Sequence, residues 1–93
     1  MKNILVFGKT QASANRYLRK FASKRNDIKF WHGVTMLVLL NEDFYKAVGA
    51  DDSSRGRRCN KAYVQNNITE DYIDYIVKPC FENEYDITYF KGD

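Results

Sequence analysis

The chain has 93 residues, 44% of them apolar, with seven Tyr, six Phe and a single Pro. That is enough to bury one core without metal or disulfide staples, too little for two, and too apolar for a disordered tail. The net charge of +3 is unevenly spread: residues 1–61 hold 13 Lys/Arg against 5 Asp/Glu (+8), and residues 62–93 hold 2 against 7 (−5). Such a split either orients a polyanion or charged partner, or is neutralised within the fold.

The longest apolar run, Val34 to Leu40, is far shorter than a bilayer requires, so no membrane partner is expected. Cys59 and Cys80 are the only cysteines, and neither belongs to a C-x-x-C pair. With no apolar leader after Met1, the pattern predicts a reduced, cytoplasmic protein rather than a secreted disulfide scaffold.

In chain order, Ile4-Leu5-Val6-Phe7 ending at Gly8 predicts a strand buried on both faces, as in a parallel sheet covered by helices. Between Gln11 and Arg25 the apolar Ala14, Tyr17, Leu18, Phe21 and Ala22 recur at helical spacing. The other face of that helix carries Arg16, Arg19, Lys20, Lys24 and Arg25. Ile28 to His32 predicts a short strand. Val34 to Leu40 and Phe44 to Val48, around Asn41-Glu42-Asp43, predict a hairpin, with a helix through Glu42 to Val48 as the alternative.

"DDSSRGRR" predicts a loop, and Ala62-Tyr63-Val64 another strand. Thr69 before Glu70 and Asp71 is an N-cap signal; Ile73, Ile76, Val77 and Cys80 continue that helix until Pro79 ends or kinks it. "YDITYF" predicts the last strand. The order implies a single α/β domain: a small mixed sheet with a parallel core, a β-hairpin and two crossover helices, sandwiched in two or three layers.

Gly8-Lys9-Thr10 has the letters that end a phosphate-binding loop, but not its spacing. The G-x-x-x-x-G-K-[ST] loop needs a glycine where Asn3 stands, and flexible backbone where Ile4 to Phe7 form a strand. What remains is the start of a helix, where N–H groups and the dipole favour an anion near Lys9. The structural alternative is that Gly8 permits the turn and Thr10 caps the helix.

From Lys2 to Phe81, the succession of elements resembles the middle of the ATPase domain of phage large terminase subunits. The similar stretches are "GKTQASANRYL", "TMLVLLNEDFYKAVGAD", the Ser54-Arg55-Gly56-Arg57-Arg58 loop, the following strand and "TEDYIDYIVKP". The resemblance implies a fold like that of phosphate-loop ATPases. It also implies that Gln65 and Asn66 occupy the places of the magnesium-holding Asp and the water-activating Glu. An amide lacks the charge that holds Mg²⁺ and the basic oxygen that activates water. With the phosphate loop also missing, the resemblance implies a cut-down, non-catalytic, phage-type accessory protein without a cofactor.

His32 is the only histidine and no zinc spacing occurs, so no metal site is expected. The candidate binding residues are basic: Lys9, Arg16, Arg19, Lys20 and Lys24, with Arg55, Arg57, Arg58 and Lys61 around Gly56. Guanidinium groups grip phosphates, and Tyr17, Trp31, Tyr45 and Tyr63 offer rings to bases. Nucleic acid or an acidic protein surface is the expected partner. The alternatives are a solvated helix face, or arginines paired with Asp51, Asp52 or the acidic carboxy-terminal part. A modulator that imitates part of an ATPase core is the other functional expectation, and a free sheet edge would permit self-association.

Overall fold

In the computed structural model, which describes residues 2–33, 35–50 and 57–91, the chain is a small mixed α/β domain with one six-stranded sheet. Strands β1 (Asn3–Gly8), β2 (Ile28–His32), β3 (Met36–Leu39), β4 (Phe44–Gly49), β5 (Lys61–Gln65) and β6 (Ile87–Phe90) are ordered β2-β3-β4-β1-β5-β6. β1 pairs in parallel with both β4 and β5, and β5 in parallel with β6. Only β3 runs against the rest, through its antiparallel pairings with β2 and β4. β2 and β6 are the sheet edges.

The apolar run in β1 divides by parity, as a doubly covered strand must. Ile4 and Val6 face helix α1 (Gln11–Ala22) and pack with Ala14, Leu18, Leu37 and Leu39. Leu5 and Phe7 face the other way, against Val64, Ile73 and Val77. Val6 and Phe7 have no exposed surface; each such buried side chain contributes about 1.5–3 kcal/mol. The result is a three-layer sandwich, with α1 on one face and the helical segment 70–80 on the other.

α1 begins where its cap says it should: Thr10 Oγ1 accepts the Ser13 N–H at 3.1 Å. It stops three residues before Arg25. There Ser23 Oγ donates to the Lys20 carbonyl at 2.7 Å, and the amides of Lys24 and Arg25 turn back to Phe21 and Ala22. Gly8 serves close packing. A Cβ there would stand 2.4 Å from the Ala14 nitrogen and 2.8 Å from its Cα. Gln11 fastens the helix to β4, donating to the Ala47 carbonyl at 2.9 Å and accepting the Gly49 N–H at 3.1 Å.

The hairpin pairs Leu37 with Tyr45 and Val38 with Phe44, so residues 44–48 are strand rather than helix. Its turn places Glu42 in the left-handed region at φ 73°. Asn41 Oδ1 accepts the Asp43 N–H at 3.0 Å, and Lys29 of β2 pairs with Glu42.

Segment 70–80 opens with an α-turn, Glu70–Tyr72, capped by Thr69. It then widens to π winding over Ile73–Val77 and tightens to a 3₁₀ turn at Lys78–Cys80. Pro79 cannot donate, and its ring crowds the carbonyl four residues back; the changed winding is the local accommodation. Among the described residues no helix is long and apolar enough to cross a membrane.

Candidate nucleic-acid interface

α1 lies across β1 and β4 with its second and third turns beside β6. Tyr17 stacks on Phe90, with ring centroids 4.0 Å apart and planes 22° from parallel, and it also reaches Tyr63 at 5.7 Å. Above this aromatic floor runs an open groove of about 410 Å³ lined by Ser13, Arg16, Arg19, Lys20, Ser23 and Lys91. A neighbouring groove of about 330 Å³ shares Tyr17 and Lys20 and adds Lys24 and Arg25. Burial first, and nearby Tyr63 second, push the Tyr17 phenol above its ordinary range. It is therefore neutral at physiological pH and does not repel an anion.

Four of the basic residues singled out from the sequence, Arg16, Arg19, Lys20 and Lys24, thus share one exposed surface. Arg19, Lys20 and Lys24 form no ion pair among the described residues. Arg25, in the turn after α1, is engaged: its Nε and Nη2 donate to both Asp27 oxygens at 2.8 and 2.7 Å, and its guanidinium lies 4.9 Å from the Phe21 ring centre.

The arginine loop behaves differently. Arg55 lies outside the described residues, as do Gly56, Asp51 and Asp52. Arg58 meets Glu82 at 3.2 Å, and Lys61 meets Asp86 at 3.3 Å while sitting over the Tyr63 ring. For these two, the acidic carboxy-terminal part supplies partners inside the fold. Exposed pairs of this kind are weak, yet they lower the field that Arg58 and Lys61 offer to an outside anion. Arg57 is half-buried beside Cys80.

Lys9 stands at the opposite end of α1 from Lys20 and Lys24. Its backbone N–H donates to Gln65 Oε1 at 2.7 Å, so that donor is not available to an anion. Its side chain borders a separate pocket of about 240 Å³ with Asn67, Thr69 and Tyr72. Gln65 is buried at 2% exposure, whereas Asn66 is exposed and donates its N–H to the Phe90 carbonyl at 2.9 Å. Among the described residues no group of three potential metal ligands occurs.

Two features lay beyond reading from the sequence. Lys91 belongs to the acidic part of the chain and joins the basic groove only because β6 ends under α1. Cys59 and Cys80, far apart in sequence, come together in the fold: the Cys59 N–H donates to the Cys80 carbonyl at 2.9 Å. Spacing gives no signal for either. No family model, curated protein or solved structure matches this chain.

Proposed function

We propose that the chain is a non-catalytic binding module whose α1–β6 groove takes a single nucleic-acid strand. Arg16, Lys20 and Lys91 contact successive phosphates, Arg19 and Lys24 extend the track, and a base lies against the Tyr17–Phe90 floor. The observation that carries this is the contrast within the basic part of the chain. Arg58 and Lys61 are matched to carboxylates, whereas among the described residues Arg19, Lys20 and Lys24 have none, and they border an aromatic-floored groove. Cationic grooves with aromatic floors suit single strands, because every base has a face to stack and every linkage a charge to hold.

The terminase-like ancestry, the host cytoplasm and the lack of ATP hydrolysis belong to the same proposal and rest on sequence. Support comes from Gln65 and Asn66, amides where the resembled ATPases carry acids, and from the strand that occupies the place of a phosphate loop.

Fluorescence anisotropy with labelled single-stranded DNA, single-stranded RNA, duplex DNA and polyglutamate, each at two salt concentrations, tests the proposal. Tighter binding of a single strand than of polyglutamate, weakening steeply with salt, is expected. Equal binding of polyglutamate would move the partner to an acidic protein surface, and no binding of any probe at low salt would remove the groove as an interface.

A further inference from the structure

On the face of the sheet opposite α1, a second groove of about 290 Å³ is bordered by Asn3, Arg58, Cys59, Cys80 and Glu82. The two cysteines are buried at 7% and 2% exposure, and the groove is the opening onto them. Cys59 lies just before β5 and Cys80 ends the 3₁₀ turn after Pro79; the 2.9 Å hydrogen bond between their backbones ties these two places together. A disulfide spans Cα separations of about 4.4–6.8 Å, and the backbone hydrogen bond holds these two residues side by side. The thiols are close enough that each alters the ionisation of the other.

The surroundings make the two sulfurs unequal. A hydrogen bond from the Cys59 thiol first, and the Arg57 guanidinium as well, favour the thiolate at Cys80 and draw its pKa down, against burial and against the Ile76 carbonyl, to which the protonated Cys80 thiol donates at 3.2 Å. Cys59 moves the other way: donating that hydrogen bond, burial and the neighbouring thiolate all hold its proton on. Arg57 Nε is buried and has no hydrogen-bond partner among the described residues. A charged sulfur with a protonated sulfur beside it is the arrangement of an attacking and a resolving thiol.

We infer that Cys59 and Cys80 form a hydroperoxide-reactive dithiol, with Cys80 the attacking sulfur and Cys59 the resolving one, that closes to an intramolecular disulfide. The Cys80 thiolate attacks the near oxygen of a hydroperoxide and the O–O bond breaks. Cys80 is oxidised by two electrons to sulfenic acid, and the departing oxygen leaves as hydroxide or alkoxide, which takes up the proton that Cys80 had released. The Cys59 sulfur then attacks Cys80 sulfur; the S–S bond forms, the S–O bond breaks, and the hydroxyl leaves as water with the Cys59 proton. The groove admits a small hydroperoxide, whereas a protein disulfide is too bulky to reach sulfurs so deeply placed.

The test treats the reduced full chain with hydrogen peroxide and follows intact mass, with peptide mapping under non-reducing conditions. Expected are the loss of two hydrogens and a cross-linked peptide joining Cys59 to Cys80. Cys59→Ser is expected to stop at a sulfenic acid trapped by dimedone, and Cys80→Ser to lose peroxide reactivity at least tenfold. Added oxygen with both thiols still alkylatable, or disulfide-linked dimers in place of the internal bridge, would overturn the inference. Should the serine variants unfold, alanine variants and the wild-type mapping carry the same decision.

Discussion

Gln65 Oε1 accepts the backbone N–H of Lys9 at 2.7 Å, joining the end of β5 to the turn that launches α1. The Gln65 side chain therefore has a structural task. Replacing Gln65 with Ala leaves the Lys9 donor without its partner, and an unmet donor costs about 1–3 kcal/mol. Urea denaturation should show that loss with an unchanged slope. Gln65→Glu should also destabilise the fold, because it buries a carboxylate at a site only 2% exposed.

The closeness of β1 to α1 gives a second test. Gly8→Ala must push the Ala14 backbone away, since the new Cβ would begin 2.4 Å from its nitrogen. Overpacking of this kind costs about 1–3 kcal/mol or more. Thr10→Ala, which removes the cap but creates no clash, should cost about 0.5–2 kcal/mol. A larger thermal shift for Gly8→Ala than for Thr10→Ala is the expected order.

Asp27 is expected to titrate below its usual range because the Arg25 guanidinium hydrogen-bonds its carboxylate. Its folded value is depressed, so its contribution to stability is present above the unfolded carboxylate pKa and is lost as pH falls through the folded one. Carbon-detected NMR titration should return Asp27 toward the ordinary range in Arg25→Gln. An unchanged value in that variant would show that the pair does not persist in solution.

The thiol pair predicts a pH profile. Arg57 and Arg58 approach it from the lead-in to β5, and Glu82 and Glu84 from the loop after Cys80. With the Cys80 thiol drawn below its ordinary value, its reaction with hydrogen peroxide should rise to a plateau with a midpoint below that of a free thiol. Because the folded value is depressed, the thiolate adds stability that grows as pH rises from the folded toward the unfolded pKa. Arg57→Gln should move the midpoint upward.

Much of the architecture is legible because it is local. Ile4 to Phe7 announces a strand covered on both sides, and the alternation around Asn41-Glu42-Asp43 announces the hairpin whose pairs are seen at Leu37 and Tyr45. The π winding of Ile73–Val77 is not, since Pro79 says only that the helix must yield somewhere near it. The basic face of α1 is visible in the periodicity of Arg16, Arg19, Lys20 and Lys24. Its pairing with Lys91 and the Tyr17–Phe90 floor depends on where β6 lands. Likewise, Arg58 and Lys61 look equal to Lys20 and Lys24 in sequence, and among the described residues it is the return of the chain at Glu82 and Asp86 that separates them.

In the proposed function α1, and not the paired cations near β5, meets the polyanion. The measurement is the anisotropy of a labelled single strand at low salt with the Arg16→Glu/Lys20→Glu and Arg58→Glu/Lys61→Glu double variants, each first shown folded by circular dichroism. At least a tenfold loss is expected for the α1 variant, with a shallower salt dependence, and less than a threefold change for the other. Equal losses, or a loss confined to Arg58 and Lys61, would contradict it.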